Sequence, residues 1–299
     1  MIRHGWWKLK QSARLAQLSD KIMVIRSIAW IWILVLGTLP GTSQDRFQIS
    51  SDLYYTELRD SVYLITHHFP KYGSNSLFVL LPGEQGVLID TPNETTGTVS
   101  LLKWIQSSFG HLGLTAINTG WHQDNLGGNE FLLTRKIPVY GPTLTVTLIM
   151  DRGKELKDML LEQTSSLEDK RYFQSYRELN LLPPDHTFSI EEGLLLEIGG
   201  ETLEVYYPGE SHTVDNTVVY LHKKQILFGG CMIMSMLHQG PGFIDHANMT
   251  EWPESVKKVK EKFPCCDVVI PGHGPYGGAV LLEHTRQILE AFNEQPPAK

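Results

Sequence analysis

"INTGWHQDNLGGNE", residues 117–130, reads as the end of a strand turning into a glycine-punctuated loop that presents His122 and Asp124. An imidazole and a carboxylate offered together are donors of the kind that hold zinc. A metal loop of this form is expected to open with another donor two places before His122. The chain has Gly120 there. The stretch therefore poses a choice between an incomplete metal site, a differently built one and no site.

Three other segments repeat the placement. His212 in "YPGESHTVDNTVVYL", Cys231 in "LFGGCMI" and His273 in "VIPGHG" each follow or close a β-type run beside a glycine-rich turn. Backbone can fold closely around an ion at such turns. A single histidine is ordinarily a surface or core residue, and His4, His111, His186, His222 and His284 are read that way. Four segments sharing one strand-to-loop setting are harder to dismiss.

Outward from these segments the chain alternates short β runs with helical ones. "LYYTEL", "SVYLIT", "SLFVLL" and "GVLID" form a meander over 53–90, with turns near Arg59–Asp60 and Pro82–Gly83. "TTGTVSLLKWIQSSFG" carries Val99, Leu102, Ile105 and Phe109 as a helical stripe before a glycine stop. "LTAIN" and "IPVYG" are the next strands. Residues 143–185 are polar, with a helix expected from Leu144 to Leu161. "LLLEIGGETLEVYYPG" is a hairpin around Gly199–Gly200, and "TVVYL" with "QILFGG" makes another pair. "WPESVKKVKEKF" and "AVLLEHTRQILEAF" are helices flanking the strand "DVVIPGHG". The order predicts an α/β protein of two mixed sheets packed face to face, with helices outside.

Residues 1–43 are of another kind. Basic residues Arg3, Lys8, Lys10, Arg14, Lys21 and Arg26 precede the apolar run "SIAWIWILVLGTL" and the small-residue stretch "PGTSQ". This is the pattern of an export signal. Met23 is an alternative start, and an uncleaved anchor is the rival reading, although 13 apolar residues fall short of the ~20 that span a bilayer. The expected location is periplasmic or secreted, with residues 44–299 as the folded domain, catalytic by the resemblance given next. Of 26 basic and 33 acidic residues, this leader takes six and one, leaving 20 against 32, a formal charge of −12. That excess argues against nucleic acid or an anionic membrane as partner. The family resemblance given next, and not the charge, implies a small-molecule substrate, and a monomeric chain is expected with it. The three cysteines, Cys231, Cys265 and Cys266, leave at least one outside any intramolecular disulfide.

On these motifs the chain resembles the metallo-β-lactamases, specifically the subclass with a cysteine ligand. The resemblance covers about residues 48–295. "ISSDLYYTELRDSVYLITH" is similar to the family's first strands, and "GVLIDTPNE" to a strand ending in an aspartate, here Asp90, that orients the ligand loop from behind. The later ligand segments match in order and spacing. The resemblance implies an αββα sandwich with zinc at one edge of the sheets. It implies a complete three-ligand zinc site at Asp124, Cys231 and His273. Related thioesterases, lactonases and glyoxalase-type hydrolases have aspartate where this chain has Cys231, and histidine where it has Asn125.

The family's other site uses three histidines. Here His122 and His212 remain while Gly120 stands in the first place, so one firmly bound Zn²⁺ is expected and a second weak or absent. A mono-zinc carbapenemase subclass similarly lacks that first histidine. His67, His68 and His246 are the loop histidines that could replace the missing ligand, against their ordinary reading as surface residues. Restoring histidine at position 120 is expected to raise affinity for a second ion.

The activity implied is opening of a β-lactam amide. Zinc would act as Lewis acid, water held near His122 and Asp124 would attack, and His212 would position water or the carbonyl oxygen. Two departures bear on substrate. Met234 replaces a lysine that typically binds the substrate carboxylate, and Phe243 falls where an asparagine is expected. Lys71 or Arg152 are alternative carboxylate partners. Phe69, Lys71 and Tyr72 form an expected substrate flap in "HHFPKYGSN". Another cyclic ester, amide or thioester is the alternative substrate, and an idle zinc-binding member the alternative to an enzyme.

Overall fold

A computed structural model of the chain describes residues 45–69 and 73–295. The leader, Lys71 and Tyr72 lie outside the described residues.

The first half is a meander: β1 (Phe47–Gln48), β2 (Leu53–Arg59), β3 (Val62–His68), β4 (Gly73–Leu81) and β5 (Gln85–Ile89) pair antiparallel in sequence order. Helix α1 (Thr95–Phe109) then crosses to β6 (Gly113–Ile117), which runs parallel to β5. The Glu94 carboxylate caps α1 by accepting the Thr96 N–H at 2.6 Å. After β6 come two short helices, α2 (Gln123–Leu126) and α3 (Asn129–Thr134), and then β7 (Val139–Pro142). The polar stretch beyond it holds two helices, α4 (Thr143–Ser165) and α5 (Lys170–Glu178), where the sequence reading gave one. The short β8 (His186–Phe188) closes this half against β7.

The second half builds outward from its own hairpin, β9 (Leu194–Ile198) and β10 (Glu201–Tyr206). Gly199 and Gly200 have φ of +56° and +77°, the left-handed pair such a two-residue turn demands. β11 (Val218–Leu221) and β12 (Ile226–Met234) continue antiparallel, and β13 (Val268–His273) lies parallel to β12. Helix α6 (Trp252–Lys262) makes that parallel crossover, and α7 (Val280–Asn293) ends the described chain.

The core places these parts in layers. Val62, Leu77, Val87 and Ile117 from the first half pack with Leu203, Val219, Phe228 and Ile270 from the second, an apolar filling between two sheets. Leu101 and Ile105 of α1 cover the outer face of the first sheet, against Phe78 and Leu88. Val256, Val259, Leu282 and Leu289 of α6 and α7 cover the outer face of the second. This is the αββα order read from the sequence. The two sheets meet through one pairing of β4 with β13, Ser74 opposite His273. That seam locates the site.

Candidate metal centre

Three segments converge on the seam. Asp124 is carried by α2, just past the end of β6. Cys231 lies within β12, which continues to Met234 rather than ending at the cysteine as the sequence predicts. His273 is the last residue of β13. Parallel pairing brings β13 beside Cys231, and Gly272 makes the close approach feasible: a Cβ there would lie 2.7 Å from the Cys231 backbone nitrogen.

The donor atoms of Asp124, Cys231 and His273 all lie within 4.8 Å of one another. Cys231 Sγ is 3.3 Å from Asp124 Oδ2 and 3.9 Å from His273 Nε2. His273 Nδ1 donates to the Gly73 carbonyl at 3.1 Å, which aims Nε2 at the carboxylate 3.0 Å away. Fixing one imidazole nitrogen on a backbone carbonyl is how ligating histidines are oriented. The other carboxylate oxygen, Asp124 Oδ1, is buried with no hydrogen-bond partner among the described residues. A buried carboxylate oxygen normally has a partner. Carboxylate, thiol and imidazole converging on an unpartnered oxygen fit a zinc ion in both number and kind of donor.

Electrostatics agree with the geometry. Burial alone would raise the Asp124 pKa, but the hydrogen bond from His273 and the surrounding imidazoles outweigh it and hold the carboxyl well below its usual range. Burial opposes the protonation of His273, and the Asp124 carboxylate overcomes this and raises its pKa. Cys231 goes the other way: burial and then the nearby Asp124 and Asp90 push the thiol well up, so without a cation it donates to Asp124.

A polar network holds the ligand loop from behind. Asp90, at φ +57° after β5, accepts the Thr119 N–H at 2.7 Å, the Thr119 hydroxyl at 2.6 Å and the Asn125 amide at 2.8 Å. Burial still raises its pKa to about 8. Asn118 donates to the Asn125 carbonyl at 2.8 Å, closing the loop on itself.

His122 and His212 stand beside this trio, ring centroids 5.2 Å apart. Burial lowers the pKa of both, His212 to about 4, which favours the neutral imidazole that metal binding needs. Phe243 packs edge-on against both, at 5.9 and 6.2 Å, and Trp252 flanks His212 at 5.5 Å. Gly120 is no simple vacancy. A Cβ on it would meet Asn216 Nδ2 at 2.5 Å and Asn125 Oδ1 at 3.1 Å. Two buried amides fill the space that a side chain would need.

Several expected contacts are relocated. Met234 ends β12, only 2% exposed, in the packing against α6 and α7, so it does not line a substrate loop. Phe69 is buried against Tyr172 and Tyr176 of α5, so it packs onto that helix rather than covering a ligand. Arg152 is taken up by Glu155, whose carboxylate accepts from its Nε and Nη2 at 3.0 and 2.8 Å. Of the loop histidines, His67 accepts the Asn93 N–H and stacks on Phe69, and His68 faces Arg46 and Tyr54. Neither is at the centre, whereas His246 lies beside it, its Nδ1 2.8 Å from His122 Nε2.

The comparisons bear on this geometry. No protein-family model matches the chain. It is 32% identical over 270 residues to the metallo-β-lactamase type 2 of Bacteroides fragilis, covering 89% of this chain and 96% of that one. The chain belongs to the metallo-β-lactamase family. The solved metallo-β-lactamase of Pontibacter korlensis superposes with a TM-score of 0.67 at 31% identity, over 80% of this chain and 99% of its own. The DIM-1 metallo-β-lactamase does so with a TM-score of 0.65 at 27% identity, over 81% and 98%. Membership in this family implies zinc hydrolase chemistry, and the Asp124–Cys231–His273 trio is where zinc fits. Among the described residues no helix is long and apolar enough to cross a membrane.

Proposed function

We propose that this chain is an exported zinc hydrolase that opens the amide of β-lactam antibiotics. One observation carries the reading: the buried Asp124–Cys231–His273 trio, whose orphaned carboxylate oxygen lies in the same loop as the neutral imidazole of His122. Asp124, Cys231 and His273 would hold zinc, which would supply Lewis acidity for the negative charge on the departing nitrogen. Water held near His122 and Asp124 attacks the carbonyl, and one of these two groups takes its proton. His212 positions the water or the carbonyl oxygen. Asp90, through Thr119 and Asn125, keeps the loop in register with Cys231. One zinc is held firmly, in the trio.

Purified, zinc-loaded protein should turn over a penicillin, a cephalosporin or a carbapenem, and Cys231→Ser should abolish it. Expression in a susceptible bacterium should raise resistance. The leader should be found cleaved in the periplasmic fraction.

A second reading has its own support. Met234 offers no cation, Arg152 is already paired, and Phe243 presents an apolar edge beside His122 and His212. A substrate without a carboxylate, such as a lactone or thioester, would suit such a rim. Ester turnover with no β-lactam turnover would favour this reading over the first.

A further inference from the structure

Gly120 removes one imidazole, and another enters from a different part of the chain. His246 belongs to the segment 235–251 between β12 and α6. Its Nδ1 lies 2.8 Å from His122 Nε2. Its side chain is 5% exposed. The ring lies on Trp121 with centroids 4.9 Å apart, which fixes its plane. Phe243 touches it at 5.0 Å, as it touches His122 and His212, so one aromatic side chain walls all three imidazoles.

Behind His246 stands a carboxylate. Glu155 Oε1, on α4, is 3.7 Å from His246 Nε2 and is held by Arg152. A carboxylate on that side favours the proton on Nε2 and leaves the Nδ1 lone pair facing His122. This is the arrangement by which outer carboxylates orient metal-bound histidines. Gly120 offers no donor and the side chains of Asn216 and Asn125 occupy the space beside it, so a third imidazole comes from elsewhere.

We propose that His122, His212 and His246 form a second divalent-metal site, rebuilt with a histidine from the segment after β12 in place of the residue lost at Gly120. Without an ion, a proton shared between His122 Nε2 and His246 Nδ1 holds the pair together. Among the described residues only the Asp–Cys–His trio brings three donor atoms within 4.8 Å, so the three imidazoles draw together by side-chain adjustment when the ion binds. The second site is accordingly weaker than the first. The proposal rests on the zinc-hydrolase reading above, and the test separates the two.

The probes are Zn²⁺ followed by calorimetry with metal analysis, and Co²⁺ followed by absorption. Cobalt bound to Cys231 gives a thiolate charge-transfer band, and cobalt bound to imidazoles alone gives only d–d bands. The parent protein should take up two equivalents, the first with the thiolate band and the second without it. His246→Ala should keep the first and weaken the second at least ~10-fold. Glu155→Gln, a solvent-side change that leaves the fold intact, should weaken the second less but in the same direction, as loss of an outer carboxylate does. A single equivalent in the parent protein, or a second whose affinity ignores both variants, would overturn the proposal while leaving the Asp–Cys–His reading standing. Loss of the first equivalent's thiolate band would instead remove the reading beneath it.

Discussion

Asp124 and His273 share one short contact, 3.0 Å between Oδ2 and Nε2, while the second carboxylate oxygen of Asp124 is buried and unpartnered among the described residues. The contact joins α2 of one sheet's edge to the end of β13 in the other. If this oxygen awaits a cation, removing any of the trio should cost zinc affinity on the order of 100-fold or more, because a three-ligand site has no redundancy. Competition with a chromophoric chelator measures it for Asp124→Ala, Cys231→Ser and His273→Ala. Unchanged affinity in any of the three would remove that residue from the centre.

Metal removal should also lower stability. The trio ties together elements distant in sequence, and an ion that binds only the folded chain stabilises it by mass action, about 2.7 kcal/mol at free zinc 100 times the dissociation constant. For a domain of this size that is on the order of 5–10 °C in Tm. Thermal unfolding with saturating zinc and with chelator should show this gap, and Cys231→Ser should shrink it. Equal melting with and without zinc would argue against a metal that joins the two sheets.

The sequence disclosed the trio because each ligand sits where an apolar run ends or meets glycine, and those runs are what the sheets are made of. The strands over 53–90 were legible for the same reason. Edge strands β1 and β8, of two and three residues, are too short to show a period. Met234 entered the expected substrate loop through the resemblance alone; β12 is buried along its whole length, and its last residue packs against the helices instead. The sequence offers His246 only as one of three loop histidines: it lies in "QGPGFIDHANMT", without strand or helix pattern, and its place beside His122 depends on the path of the whole segment. The blocking role of Asn216 at Gly120 was invisible, since those residues are 96 apart in sequence and meet only in the fold.

Restoring a side chain at position 120 should therefore be costly. Asn216 Nδ2, 2.5 Å from the site of a new Cβ, is held by bonds its amide makes: Nδ2 donates to the Thr119 carbonyl at 3.3 Å and Oδ1 accepts the Thr213 N–H at 2.8 Å. Overpacking of this kind costs about 1–3 kcal/mol. Gly120→Ala should lose that much in chemical denaturation, and Gly120→His should lose more; the gain in second-ion affinity expected of it from the sequence gives way to this clash with Asn216. The double variant Gly120→His/Asn216→Gly opens the space and should recover part of the loss. A Gly120→His protein as stable as the parent would show that Asn216 yields freely.

Asp215 gives the pH-dependence of folding a definite sign. It is fully buried beside His212's loop and accepts from the hydroxyls of Thr145 at 2.7 Å and Thr213 at 2.6 Å. Burial outweighs those bonds and raises its pKa from 3.8 to about 6. Below pH 3.8 the group is protonated in both folded and unfolded chains and contributes no difference. Between about 4 and 6 the unfolded chain releases the proton while the folded chain keeps it, so stability falls as pH rises. Above 6 the loss levels off, at about 3 kcal/mol for a shift of roughly two units. Denaturation of metal-free protein in chelator, at steps from pH 4.5 to 7.5, should show this fall over the lower half of the range. Asp215→Asn keeps an acceptor for the threonines and has no proton to lose, so its curve should be flatter there. If parent and variant have parallel slopes, Asp215 is ionised in the folded chain throughout, and the two threonine hydroxyls suffice to hold its charge.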